Sequence, residues 1–352
     1  MKVCVVNPNY YRSSGVTVAI RQIFQSVKAH GVEQFFVNCR YGTQEEDVEW
    51  IPVGKLQTFL LMENHPLRLA QQIGAFLRWL KREQIQVVHV HHRRLASLLY
   101  PLQSIGRFRL VYTAHLSYPR EAWFSLTSPV SAVAISPSVA ANLKKTTRVR
   151  DIAIIGNPSD FPPECPQVPI AEVGATVLCV ARFDPVKAHS HLILSWKKLI
   201  DRGIYAKLLL VGEGNLKQTV MDQVVTLDLQ EFVEFRGFQK NIAAEIERCL
   251  FTVLTSAVEG SPVVIVEAAS CGRPTLVTDV DGSRDAVPPN TLLPNRVPFG
   301  DPEKFCDALV VWLRQPAAVA SEGRTFYDFH KELHSPETIG RQYTELYRRS
   351  LR

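Results

Sequence analysis

The chain has 352 residues, 46% hydrophobic and 21% charged, with a formal net charge of +6. That length exceeds one ordinary domain, and that composition excludes a disordered or collagen-like chain. Nowhere do 18 consecutive apolar residues occur and Met1 runs straight into KVCVVNP, so neither a membrane span nor a secretion signal is expected.

The positive charge is uneven. Residues 1–170 hold 19 Lys and Arg against 11 Asp and Glu, and residues 171–352 hold 21 against 23. The first half should therefore meet the anionic partner, whether a phosphorylated glycan, an acidic membrane surface or nucleic acid. A basic stripe with aromatic platforms is missing, so nucleic acid is not expected. Seven scattered cysteines, several inside apolar runs such as MKVCVV and TVLCVA, suit reduced core thiols in a reducing cytoplasm.

In chain order, KVCVVNP, FFVNC, VVHVHH, LVYTAH and AVAISP read as buried strands, each followed by a loop and a helical stretch. After the first strand, Gly15 precedes an amphipathic helix, where it either lets the backbone approach a phosphate or acceptor or merely turns the chain. The stretch KLQTFLLMENHPLRLAQQIGAFLRWLKRE reads as an apolar, basic helix packed on the first sheet, with contact to an anionic membrane as the second reading. Histidines end two strands, His91 and His92 after one and His115 after the next. His89 and His91 share a strand face, but no carboxylate completes a ligand set, so no metal is expected.

The break PSDFPPECPQVP is too rich in proline for a sheet and marks a linker. A second series of strands follows in ATVLCVAR, AKLLLVGEG, VEFRG, LFTVLTS and RPTLVTD. The fold class expected is therefore α/β, with two Rossmann-like, doubly wound parallel-sheet domains over residues 1–160 and 161–335. Residues 336–352 form a last helix packing back on the first domain. Ligands of such sheets bind beyond the carboxyl ends of the strands, in the cleft that two facing sheets would make.

The loops of the second domain carry the chemistry. Arg182 and Lys187 follow its first strand; by themselves two such cations are more often a solvated pair than a site. Gly212 ends the next strand in GEG, half of a dinucleotide fingerprint whose third glycine is missing, so a tight turn is its better use. In TSAVEGSPVVIVEAAS a helix is expected from Ser261, with Pro262 at its first position. Glu259 then lies in the preceding loop and Glu267 inside the helix. The first-turn amides, Val263 and Val264 among them, would attract a diphosphate, and the carboxylates would accept hydrogen bonds from sugar hydroxyls. The plainer alternative is that Glu259 caps backbone donors and Glu267 pairs with an arginine. Asp279 and Asp281, spaced as metal ligands can be, are taken as a coincidence of spacing. Walker, Gly-x-Ser-x-Gly and His-Glu-x-x-His patterns do not occur.

EGSPVVIVEAASCGRPTLVTDVDG resembles the E-x7-E signature of the retaining GT-B glycosyltransferases of family four. VLCVARFDPVKAHSHLI is similar to that family's strand, Gly-Arg and Pro-x-Lys-Gly, with Ala181 and Ala188 in place of two glycines, and LLLVGEG resembles its Val-Gly-x-Gly. The resemblance implies a GT-B fold with the acceptor on the first domain and a nucleotide-diphosphate sugar on the second. It places Arg182 and Lys187 on the diphosphate, Glu267 on the ribose and Glu259 facing the sugar. It puts His115 beside the transferred sugar, and His91 or His92 on the acceptor side. Gly15, Gly212, Ser261, Pro262, Val263 and Val264 would line the donor.

The same resemblance implies retention of configuration, without cofactor or metal, by domains that close about the linker; the base is taken as uridine by frequency. The acceptor would be a glycan or glycolipid, possibly phosphorylated, in lipopolysaccharide or surface-polysaccharide biosynthesis at the cytoplasmic face of the inner membrane. A nucleotide-sugar epimerase or a non-catalytic sugar-nucleotide binder is the alternative.

Overall fold

Lys2–Asn7, KVCVVN, is β1, and five of its six residues are buried, as a strand covered on both faces must be. The structure, a computed structural model, describes residues 1–10, 15–40, 48–127 and 131–352. The further strands are β2 (Glu33–Asn38), β3 (Leu56–Thr58), β4 (Val87–Val90), β5 (Arg109–Ala114), β6 (Ser131–Ala134) and β7 (Asp151–Ile154). A second set comprises β8 (Thr176–Val180), β9 (Lys207–Val211), β10 (Val233–Gly237), β11 (Phe251–Leu254), β12 (Thr275–Thr278) and β13 (Arg296–Val297).

The chain divides into two units, one of residues 1–158 with 336–352 and the other of residues 159–335. The first holds a sheet of order β3-β2-β1-β4-β5-β6-β7, the second one of order β10-β9-β8-β11-β12-β13. Every pairing in both is parallel, with β1 in register with β2 from Lys2↔Glu33 to Asn7↔Asn38. The order reverses between β1 and β4 in one sheet and between β8 and β11 in the other; at such a reversal the crossovers leave in opposite directions and open a crevice. Residues 158–169 carry neither helix nor strand.

In the first unit, the helix Gly15–Lys28 repeats Ala19, Ile20, Ile23, Phe24 and Val27 on its buried face. Beside it lies Pro336–Ser350, which buries Ile339, Tyr343, Leu346 and Tyr347 against Val3, Val87, Val111 and Val133. The approach is close: a side chain on Gly340 would run into the Ser26 carbonyl. The opposite sheet face is covered by Phe76, Trp79 and Leu80 of Pro66–Glu83, by Leu95 and Leu99 of Arg93–Leu99, and by Val139 and Leu143 of Pro137–Thr146. The apolar, basic stretch from Lys55 is thus not one helix. Its first residues add β3 to the sheet edge, and Pro66 starts the helix where its missing N–H costs no bond.

In the second unit, Leu192, Trp196 and Leu199 of His189–Asp201 pack with Phe305, Leu309 and Trp312 of Pro302–Arg314 on one sheet face. The helix Val263–Ser270 lies on the other, with Ile265 and Ala269 against Leu254, Val277 and Phe326. No helix among the described residues is long and apolar enough to cross a membrane.

Candidate functional site

At the β8–β11 reversal two loops are knitted together. The segment after β8 is held to the end of β9 by Ala181 N donating to the Val211 carbonyl (3.0 Å) and Phe183 N to that of Glu213 (3.1 Å). A side chain on Gly212 would collide with the Ala181 carbonyl, so this glycine serves the close approach of two strand ends. Pro185–Lys187 then makes one tight turn, closed by Ala188 at φ 50°, ψ 41°, in the left-handed region. The loop after β11 reaches back: Thr255 Oγ1 donates to the carbonyls of Lys187 (3.2 Å) and Ala188 (3.3 Å), and Ala257 N to that of Val186 (2.8 Å).

Those bonds bring Lys187 Nζ to 2.6 Å from Glu259 Oε1. The same oxygen accepts from Ser256 Oγ at 2.6 Å, and Thr278 Oγ1 donates to the Ser256 carbonyl at 2.6 Å. Glu259 is only 7% exposed, so an ionised carboxylate here requires such partners. Below it, Gly282 touches the Glu259–Gly260 backbone so tightly that any side chain there would overlap Gly260. Ser256, Thr278 and Gly282 were not singled out from the sequence; the spacing of Ser256, three residues before Glu259, was the one local signal. Arg182 is half-exposed and pairs with Asp184 at 2.7 Å. Arg284 bridges Asp279 (2.7 Å) and Asp281 (3.4 Å), which accounts for that acidic pair.

The helix starts at Val263, not at Ser261. Pro262, with φ −63° and ψ 117°, has the extended ψ of a cap and stands before the first helical residue. The amides of Val263 and Val264 remain in the first turn, where no intrahelical acceptor exists. Glu267 is the fifth residue of this helix, and its carboxylate has no hydrogen-bond or ion-pair partner among the described residues. The plainer alternative, pairing with an arginine, is absent among the described residues; Arg273, six positions on and 2% exposed, donates to the carbonyls of Cys249 (2.8 Å), Cys271 (2.9 Å) and Glu247 (2.9 Å). Burial alone raises the Glu267 carboxyl from its ordinary 4.5 to about 7, although one edge of the side chain stays open to solvent.

In the first unit the histidines fall into distinct bonding arrangements. His89 is a satisfied core residue, its Nδ1 bonded to Tyr347 Oη (2.8 Å) and its Nε2 to Thr113 Oγ1 (2.6 Å). His91 Nδ1 and His115 Nε2 share one hydrogen bond of 2.9 Å across the ends of β4 and β5. Burial lowers both, His115 to about 4, with neighbouring histidines adding to the effect at His91, so the pair is neutral near pH 7 and one ring donates to the other. His92 is half-buried and is lowered by burial and then by Arg40, Arg94 and Arg93. Gly15 opens its helix with empty space where a side chain would lie, so neither crowding nor a left-handed φ demands glycine. Its neighbour Ser14 lies outside the described residues. No three metal-ligating side chains cluster among the described residues.

Two family models cover most of the chain: Glycosyltransferase Family 4 matches residues 13–161 and Glycosyl transferases group 1 matches residues 174–315. The Bacillus subtilis protein EpsF is 31% identical over 153 residues, 44% of this chain and 38% of its own length. The lipopolysaccharide 1,6-galactosyltransferase of Escherichia coli is 23% identical over 82% of this chain and 83% of its own. The first three curated relatives are matched over 38%, 30% and 62% of their lengths, so the chain spans less than two thirds of each. Among solved structures, Anabaena HepE in complex with UDP superposes with a TM-score of 0.81 at 16% identity, over 98% of this chain and 99% of that one, which shows the GT-B fold. Two parallel α/β units of this topology, matched in turn by the two models, place the chain in the family-four, group-1 glycosyltransferases.

Proposed function

We propose that the chain is a retaining glycosyltransferase that moves a sugar from a nucleotide-diphosphate sugar to a glycan or glycolipid acceptor of surface-polysaccharide or lipopolysaccharide biosynthesis. The observation that carries this reading is the Lys187–Glu259 pair at the strand-order reversal, a cation and a buried carboxylate held by two knitted loops beside a helix N-terminus. Solved HepE complexes with UDP and with UDP-glucose, and the relatives' lipopolysaccharide activities, support the same class of donor and acceptor.

In this mechanism the diphosphate lies against the Val263 and Val264 amides and draws Lys187 and Arg182 toward its oxygens, donors fixed before charge develops. Glu259, still held by Ser256, turns its free lone pairs to the sugar and favours positive charge at the anomeric carbon. Glu267 accepts hydrogen bonds from the ribose hydroxyls, which replace the hydration it lacks. The bond from the anomeric carbon to the diphosphate oxygen breaks as the acceptor oxygen bonds on the same face, and the acceptor proton passes to the departing phosphate. On the first unit, the neutral His91–His115 pair offers ring nitrogens suited to sugar or acceptor hydroxyls. Charge growing on the departing diphosphate is met by Lys187, Arg182 and the helix amides, with no metal in the step.

The test is a thermal-shift series with nucleoside diphosphates and their sugars in EDTA, followed by NMR of the anomeric centre in the product. Stabilisation by one nucleotide and an axial product from an axial donor are expected. An inverted product, or stabilisation abolished by EDTA, would overturn the retaining, metal-independent reading.

A further inference from the structure

The loop after β8 carries a carboxylate for which the transfer chemistry has no use. Phe183 is fully buried, its ring stacked on His189 with centroids 4.2 Å apart and on Phe235 at 5.9 Å. The residues on either side of it, Arg182 and Asp184, stay 52% and 23% exposed and meet each other, Nη2 to Oδ2, at 2.7 Å. The backbone between them is fixed. Asp184 N donates to the Arg182 carbonyl (2.8 Å), Leu216 N to that of Phe183 (2.9 Å) and Lys187 N to that of Asp184 (3.1 Å). From the loop after β9, Gly214 presses so closely that a side chain on it would overlap the Phe183 backbone.

Three cations in the loops after β8 and β9 are neutralised one by one: Arg182 by Asp184, Lys187 by Glu259 at 2.6 Å and Lys217 by Glu213 at 2.8 Å. Of the three carboxylates, Glu259 has sugar hydroxyls to read, and Glu213 holds a lysine on which the mechanism does not call. Asp184 holds the arginine that the diphosphate needs. An ion pair this exposed is weak, so a diphosphate with more than one negative charge can take Arg182 from it. On its anchored backbone the carboxylate has little freedom to retreat, and it is left beside the phosphates as a like charge.

We propose that Asp184 is a positioning residue for Arg182: it holds the guanidinium before the donor arrives, and its like charge loosens the grip on the nucleoside diphosphate left after transfer, so that this product leaves. The assignment rests on the glycosyltransferase reading and adds to it the residue that limits product retention.

The experiment is calorimetry on the full chain, in EDTA, with UDP and GDP, each against its nucleoside. Asp184→Asn keeps the shape and removes the charge. It should bind the preferred diphosphate about fivefold more tightly and the nucleoside no differently. The gain should shrink in high salt, as a half-exposed charge requires. Asp184→Glu keeps the charge and should bind as wild type does. Displacement of a fluorescent analogue of the same nucleotide, followed by stopped flow, should show the gain as slower release.

A diphosphate affinity unchanged or weakened in Asp184→Asn would overturn the proposal. Equal tightening of the nucleoside, or the same gain in Asp184→Glu, would assign the effect to loop shape and overturn it too. A gain seen only as faster association would assign Asp184 to the general field of the surface, with the same result. Failure of wild type and both variants to bind either diphosphate sinks the donor reading itself, whereas binding that Asp184→Asn leaves unaltered sinks this proposal alone.

Discussion

Replacing Glu267 by glutamine should stabilise the protein at pH 8 and do nothing for it at pH 4. The side chain keeps its shape and loses its charge. Burial holds the carboxyl at about 7 in the folded chain, against an ordinary 4.5. The folded state therefore binds the proton more tightly, and stability falls as pH rises from 4.5 to 7. A rise of that size corresponds to roughly 3 kcal/mol, which solvent at the open edge of the side chain reduces to about 1–2 kcal/mol. In urea or thermal unfolding at a series of pH values, Glu267→Gln should lead wild type by that amount above pH 7. The gap should narrow between pH 7 and 4.5 and vanish below. A gap that is absent at pH 8, or that grows as pH falls, would refute the argument. If the ionised form reads a ribose, wild-type affinity for UDP-glucose should also fall roughly tenfold between pH 7.5 and 6, and Glu267→Gln should bind weakly at both.

Three other substitutions probe the loops that hold Glu259 and the core of the first unit. Ala188 holds a left-handed φ of 50°; Ala188→Gly should raise stability by about 1 kcal/mol in urea unfolding, because the side-chain clash is relieved. Gly282→Ala forces the new methyl into Gly260; a loss of about 1–3 kcal/mol is expected, with a drop in turnover that a mere surface change would not bring. Tyr347→Phe removes the hydroxyl that satisfies His89 Nδ1, so denaturation should show a loss of about 1–2 kcal/mol, while UDP-induced stabilisation persists.

Strands such as KVCVVN and TLVT were legible because a buried parallel strand is a continuous apolar run, and nothing in solvent explains one. β3, β7 and β13 were not: LQT, DIAI and RV are short edge or near-edge strands whose pairing partners, not their own residues, make them strands. The second unit's chemical residues were visible as types, since an acid inside VVIVEAAS is costly wherever it lies. Their partners were not visible. Lys187 and Glu259 are 72 positions apart, and their meeting depends on Thr255 and Ala257 bonding a turn closed by Ala188. Likewise the alternative of an arginine partner for Glu267 could not be decided from the sequence: Arg273, six positions on, gives its guanidinium to three backbone carbonyls.

The helix Pro336–Ser350 has a consequence for synthesis on the ribosome. Its Tyr343, Leu346 and Tyr347 cover Val3, Val87, Val111 and Val133, and its Tyr347 completes the bonding of His89. The strands of the first sheet are all made by Ile154, yet this cover emerges only about 200 residues later, roughly 10–40 s at ordinary elongation rates. Residues 159–335, contiguous in the chain, can meanwhile complete their own sheet. The part made first is therefore finished last, and during that interval the valine-rich strip of sheet beside Gly15–Lys28 stays uncovered, the surface on which a holding chaperone would act.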